Sequence, residues 1–213
     1  MQQVISDIQK YEAAQRVNFL SDWEKSVLYR CMSAKAEDLQ YDLEEIIAQY
    51  SSSVSGLMYR GLSRTQAKIV LAALDTSIMS EDDKAMFDLE ENEGSNKFSF
   101  PRVTSVSAEY HIALYFASEV EYGTNVILKV LNLDYAFNYT DRMLDILHSC
   151  PSTDFQTGTN DSIESLEMRR RSNIEMLDGE AEWMISRDAS YTIEDAYILN
   201  RNLMIEVSIS FNP

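Results

Sequence analysis

Two carboxylates two residues apart, Glu180 and Glu182, stand in the run Gly179-Glu180-Ala181-Glu182-Trp183-Met184-Ile185. Read as a strand, this run projects both acids from one face, while Ala181, Trp183 and Ile185 fall on the other. An unpaired ionised carboxylate is costly to bury, so the acidic face either lines a cleft or forms the solvated side of an edge strand. A second candidate is Tyr59-Arg60-Gly61 within an apolar strand over residues 57–62. Arg60 shares its face with Met58 and Leu62, and a guanidinium in an apolar row calls for a planar anion, either a carboxylate or a phosphate. Gly61 beside it lets a ligand approach the backbone. A third candidate is Arg102-Val103-Thr104-Ser105-Val106-Ser107, whose alternation of hydroxyl and β-branched residues predicts a strand. Residues 109–117 then read as a short helix. A strand ending in hydroxyls before a helix can present Ser107 to a ligand or use it as an N-cap.

These residues need a scaffold. Residues 1–50 read as helical: Trp23, Val27, Leu28, Cys31 and Met32 recur at helical spacing behind a Ser21-Asp22 N-cap, and Leu39, Leu43, Ile46, Ile47 and Tyr50 form a second apolar stripe. The serine-rich run 51–56 is a short break between lobes. A helical segment covers 66–74, and the acidic run 80–83 is a loop or short helix. Residues 126–131 are apolar enough for a buried strand, and 141–147 are helix-like. Residues 151–179 read as polar and irregular, with Arg169-Arg170-Arg171 set among acids, a pattern that usually marks a solvated face. Strands over 191–199 and 203–209 are joined by a turn at Asn200-Arg201-Asn202. His111 and His148 are isolated from other metal-type ligands and read as structural.

Composition narrows the function. The chain has 213 residues and a net charge of −17, from 35 acids against 18 bases, which opposes binding to DNA through a general basic field. No run approaches the roughly 18 apolar residues of a membrane span. The first residues lack a basic region followed by an apolar core, and two cysteines cannot build a disulfide framework, so an intracellular, reducing compartment is expected. With only six glycines there is no phosphate-binding glycine loop, which excludes a Rossmann or P-loop nucleotide site.

In chain order, Tyr59-Arg60-Gly61, the hydroxyl-ended strand 104–107 and Glu180-Ala181-Glu182 resemble the mono-ADP-ribosyltransferases of the Arg, Ser, Glu-x-Glu type, the subset that modifies arginine. Asp22-Trp23-Glu24-Lys25-Ser26-Val27-Leu28, Ala136-Phe137-Asn138-Tyr139 and Glu180-Ala181-Glu182-Trp183-Met184-Ile185 look like the ModB branch of the phage-encoded transferases, over nearly the whole chain. One departure concerns the central serine motif: after Ser107 the chain continues Ala108-Glu109 rather than with further hydroxyls, and Ser105 is the alternative match.

The resemblance implies an α+β fold in a single ADP-ribosyltransferase domain over 1–213. A helical N-terminal lobe (1–55) would pack on a split, mostly antiparallel β core (56–213) that binds NAD in its cleft. NAD would be consumed as substrate, with no metal. Breaking its nicotinamide–ribose bond passes through an oxocarbenium-like state, which Glu182 would stabilise. Glu180 would hold the acceptor guanidinium and take its proton. Arg60 would pair with the diphosphate or adjacent ribose, Gly61 would meet the nicotinamide carboxamide, and Ser107 would hold Glu182 or the ribose. The implied partners are host bacterial proteins bearing acceptor arginines, ribosomal proteins or RNA polymerase among them, in the cytoplasm of an infected cell. NAD-capped RNA is an alternative donor if the adenosine end is open. Competing readings are an NAD glycohydrolase and an inactive module that binds a host factor.

Overall fold

The computed structural model describes residues 6–32, 39–117, 125–150 and 162–211. Within them the chain divides into two compact units, 1–50 with 138–182 and 51–137 with 183–213. The expected N-terminal helices are present, but they do not form a unit alone. They group with a second stretch of chain a hundred residues on.

In the first unit, α1 (Asp7–Arg16) and α2 (Asp22–Cys31) each begin with a reciprocal capping box, Ser6 with Gln9 and Ser21 with Glu24. In each, the serine side chain accepts from the backbone three residues on while the N3 side chain reaches back, so two orphan donors are satisfied at once. Helix α3 (Gln40–Tyr50) buries Leu43, Ile46 and Ile47, the i, i+3, i+4 pattern of one apolar face. Trp23, counted in the apolar stripe of α2, is 50% exposed; Val27 and Leu28 carry the burial. The other helices of this unit are α7 (Tyr139–Ser149), which buries Met143, Ile146 and Leu147, and α8 (Ile163–Leu177). Arg16 of α1 grips Asp145 of α7 through Nε (2.9 Å) and Nη2 (2.7 Å), a two-point geometry that holds the helices in register.

Among the described residues there is a nine-stranded sheet, nearly all of it in the second unit. Its strands are β1 (Ser52–Ser53), β2 (Met58–Gly61), β3 (Lys97–Ser99), β4 (Thr104–Ser107), β5 (Val126–Val130), β6 (Tyr135–Asn138), β7 (Glu182–Ile185), β8 (Ala189–Leu199) and β9 (Asn202–Phe211). They lie in the order β1-β6-β7-β4-β2-β5-β9-β8-β3. β2 runs antiparallel to β4 and β5, β8 antiparallel to β3 and β9, while β5 and β9 are parallel. The mixed, mostly antiparallel sheet with helices is the expected α+β class. Asn200 and Arg201 both have positive φ (52° and 64°), as a tight two-residue hairpin between β8 and β9 requires.

Helix α4 (Arg64–Ala73) opens on a third capping box, Ser63 with Gln66. The acidic run 80–83 is the start of α5 (Glu81–Phe87), N-capped by Ser80, so its charges favour the helix N-terminus. Helix α6 (Tyr110–Phe116) completes this unit's described helices. One core gathers Met58, Leu62, Val70, Leu74, Leu128, Tyr191, Ile205 and Val207 from strands and α4. Every one of them is at most 2% exposed.

One expectation fails outright. Residues 163–177, read as polar and irregular, form the fifteen-residue helix α8. Only Leu166 and Leu177 of it are buried, too few for an apolar period to show. Arg170 ties the helix down by donating to the Leu147 carbonyl and, at 2.7 Å, to Glu167. Arg169 and Arg171 are exposed.

Candidate active site

The glutamate pair lies in the first unit, and its two acids do not share one strand face as expected. Glu180 sits in the turn after α8 and only Glu182 opens β7. Between them Ala181 is left-handed (φ 43°), which breaks the pleat that would have put i and i+2 on one face. The two acids are neighbours all the same. Burial first, then the charge of Glu182, pushes the Glu180 carboxyl up to about 7. Two carboxylates that share a partly desolvated site cannot both ionise freely, so one holds its proton to neutral pH.

The charge of Glu182 also reaches two residues far away in sequence. Cys31, at the end of α2, is pushed up to about 12 by burial and then by Glu182, opposed by Arg30. Tyr139, 3% exposed, is raised well above its ordinary value by burial, followed by the charges of Glu182, Cys31 and Glu180. Its hydroxyl donates to the Leu28 carbonyl at 3.1 Å. The Glu182 N–H donates to the Thr140 hydroxyl at 2.8 Å. Neither Tyr139 nor Thr140 was singled out as a site residue from sequence; the visible signal is Asn138, whose side-chain oxygen accepts from the Asp141 N–H (3.1 Å) and caps α7 there.

Arg60, Gly61 and Ser107 lie in the second unit, where the pairing of β2 with β4 sets Tyr59 opposite Ser107 and brings the three together. Arg60 donates through Nη1 to the Ser105 carbonyl, tying the two strands through a main-chain oxygen. Its charge also reaches the buried Tyr191 phenol, which burial pushes up to about 12 against the lowering effect of Thr104 and Arg60. The row that Arg60 shares is apolar as expected, with Met58 at 2% and Leu62 at 0% exposure. Ser107 is buried, and its hydroxyl accepts from the Glu109 N–H at 3.1 Å, turning the chain toward α6. Ser105 contributes its carbonyl to Arg60 and is the less buried of the two serines.

Gly61 has a packing reason of its own. A Cβ there would collide with the Ala113 carbonyl oxygen and stand 2.5 Å from the Ala117 nitrogen, so α6 crosses directly over the strand. Helix packing is by itself reason enough for a glycine here. His111 is exposed and 3.6 Å from Glu109, while His148 is lowered by burial and then by Arg170. Among the described residues no group of histidine, cysteine, aspartate and glutamate could hold a metal ion, and no helix is long and apolar enough to cross a membrane.

The second unit thus holds an arginine tied to a serine strand, and the first a glutamate pair with one member pushed up to about 7. Residues 5–212 match the family model described as Bacteriophage T4 Mod ADP-ribosyltransferase, and the chain belongs to that family. It is thus an ADP-ribosyltransferase, a class of enzyme that consumes NAD. It is 36% identical over 166 residues to the NAD–protein ADP-ribosyltransferase modB of Enterobacteria phage T4, covering 78% of this chain and 70% of that one. To modA of the same phage it is 30% identical over 106 residues, 50% of this chain and 49% of that one. Among solved structures, C3stau2 from S. aureus with NAD superposes with a TM-score of 0.49 at 11% identity, over 100% of this chain and 99% of that one.

Proposed function

We propose that this enzyme transfers ADP-ribose from NAD to arginine side chains of bacterial host proteins. The reading rests on one observation above others: Glu180, beside Glu182, holds its proton affinity near 7. A guanidinium with a pKa above 12 is a poor nucleophile until a base relieves it of a proton. A carboxylate that titrates near neutrality is far better matched to that task than an ordinary one.

In this reading Glu182 steadies the cationic ribose as its bond to nicotinamide breaks and the electron pair leaves with nicotinamide. An arginine nitrogen of the acceptor forms the new bond to the same carbon, and its proton passes to Glu180. Arg60 pairs with the diphosphate or adjacent ribose of NAD. Ser107 supports the ribose or Glu182, with Ser105 as the alternative in that role. The fold acts as one catalytic domain in the bacterial cytoplasm, and ribosomal proteins and RNA polymerase are the acceptors to examine first.

The test uses adenylate-labelled NAD, purified protein and a bacterial lysate, beside Glu182→Gln. Label on discrete proteins with the wild type, absent with the variant and removed by hydroxylamine, supports arginine transfer. Nicotinamide release without labelled protein points instead to a glycohydrolase. A parallel incubation with NAD-capped RNA shows whether the donor can be extended at its adenosine end; capped RNA that never becomes protein-linked while NAD reacts rules that donor out.

A further inference from the structure

The turn that carries the two glutamates is held at two points. At one, the Glu180 N–H donates to the Leu177 carbonyl of α8 at 3.0 Å. At the other, the Glu182 N–H donates to the Thr140 hydroxyl at 2.8 Å. Between them lies Ala181, a residue with a Cβ in the left-handed region (φ 43°), where strain persists only if the surroundings impose it. The anchor is itself well fixed. Thr140 is 5% exposed, β-branched and therefore stiff about χ1, and it sits in the first turn of α7. On one side of it Asn138 caps the helix, and on the other face Tyr139 is buried and bonded to Leu28 of α2.

We infer that Thr140 is a positioning residue for the glutamate pair, its hydroxyl fixing the backbone of Glu182 so that the two carboxylates stay side by side. The inference rests on the catalytic roles proposed for Glu180 and Glu182. Removing the hydroxyl leaves the Glu182 N–H to find another partner, because a buried amide is rarely left unpaired. The strained link at Ala181 is the part that gives, and Glu182 moves with it. A displacement of the order of an ångström costs a catalytic group about a hundredfold in rate.

Thr140→Val keeps the shape and deletes the acceptor, and Thr140→Ser keeps the acceptor. Nicotinamide release from NAD, with a small guanidine compound supplied as acceptor, is followed from pH 5 to 9 for both, with thermal melts alongside. The expected result is a fall in kcat of about tenfold to a hundredfold for Thr140→Val with KM for NAD within about threefold, and recovery in Thr140→Ser. The acid limb of the profile should also move down by about one pH unit, as Glu180 loses its charged neighbour. Cys31 and Tyr139 also feel the charge of Glu182, with Arg30 and Asp42 acting on Cys31, and both variants leave these unchanged.

Equal losses in the two variants, tracking lower melting temperatures with the acid limb unmoved, would reduce Thr140 to a structural contact and overturn the inference. So would wild-type kinetics in Thr140→Val. Glu182→Gln separates the catalytic role from the positioning role. If it is inactive while Thr140→Val is normal, only the positioning role fails; if it is active, the catalytic reading fails and takes the inference with it.

Discussion

The glutamate that the proposed reaction uses as its base should weaken the fold that holds it. Glu180 stands near 7 against an ordinary value of 4.5, because burial and the charge of Glu182 both disfavour its ionised form. Below about pH 4.5 the group is neutral in folded and unfolded chains alike and contributes nothing to pH dependence. Between 4.5 and 7 the unfolded chain releases the proton while the folded one keeps it, so stability falls as pH rises through this window and then levels off. Each tenfold change in proton affinity corresponds to about 1.4 kcal/mol. The carboxyl is partly exposed and water screens it, so about 1–2 kcal/mol is the share that reaches folding. Glu180→Gln removes the titration. The variant should match the wild type at pH 4 and be more stable by that amount at pH 8.5, a rise in melting temperature of about 2–4 °C per kcal/mol. Urea titrations at the two pH values provide the assay. A variant no more stable than wild type at pH 8.5, or one equally stabilised at pH 4, would refute the claim that Glu180 is held near neutrality by burial and Glu182.

Three further outcomes follow from other parts of the molecule. Gly61→Ala should destabilise by about 3 kcal/mol or more, because the new Cβ meets backbone atoms of α6 that cannot yield as a side chain can; a urea midpoint near wild type would show that α6 does not press on β2. Tyr139→Phe, which removes the bond to the Leu28 carbonyl, should cost about 1 kcal/mol, and an unchanged melting temperature would count against that anchor. Cys31 should react with iodoacetamide at pH 8 about a thousandfold more slowly than an ordinary thiol, since only the thiolate attacks and its proton is held up to about 12. Peptide mass spectrometry reads the rate, which should rise in Glu182→Gln; free-thiol reactivity at Cys31 would contradict the burial beside Glu182.

What the sequence makes legible follows from how each signal is encoded. Capping serines and apolar periods locate α2, α3, α4 and the β8–β9 hairpin, because caps and stripes are local in sequence. The glutamate pair is legible as a pair, yet not its geometry, since Ala181 gives no sequence cue for a left-handed backbone. Helix α8 is invisible because its fixing contacts are Arg170 to Leu147 and Glu167, polar bonds that leave no hydrophobic period. Gly61 is legible only in part for a related reason: a glycine signals close approach, and the sequence does not name the helix that approaches. Thr140 is hidden most completely, as its partner Glu182 lies 42 positions downstream.

The place of β9 in the sheet has a consequence for the order in which the protein is made. Of the described strands it is the last in sequence, yet it lies between β5 and β8, with β5 beside it in parallel. Until residues 202–211 have left the ribosome, the strand that backs Arg60's own strand has one open edge. Such edges invite pairing with other chains, and parallel pairing across so long a stretch of sequence is slow. The sheet therefore closes at its centre only when β9 is added, next to the strand that pairs with Arg60's own.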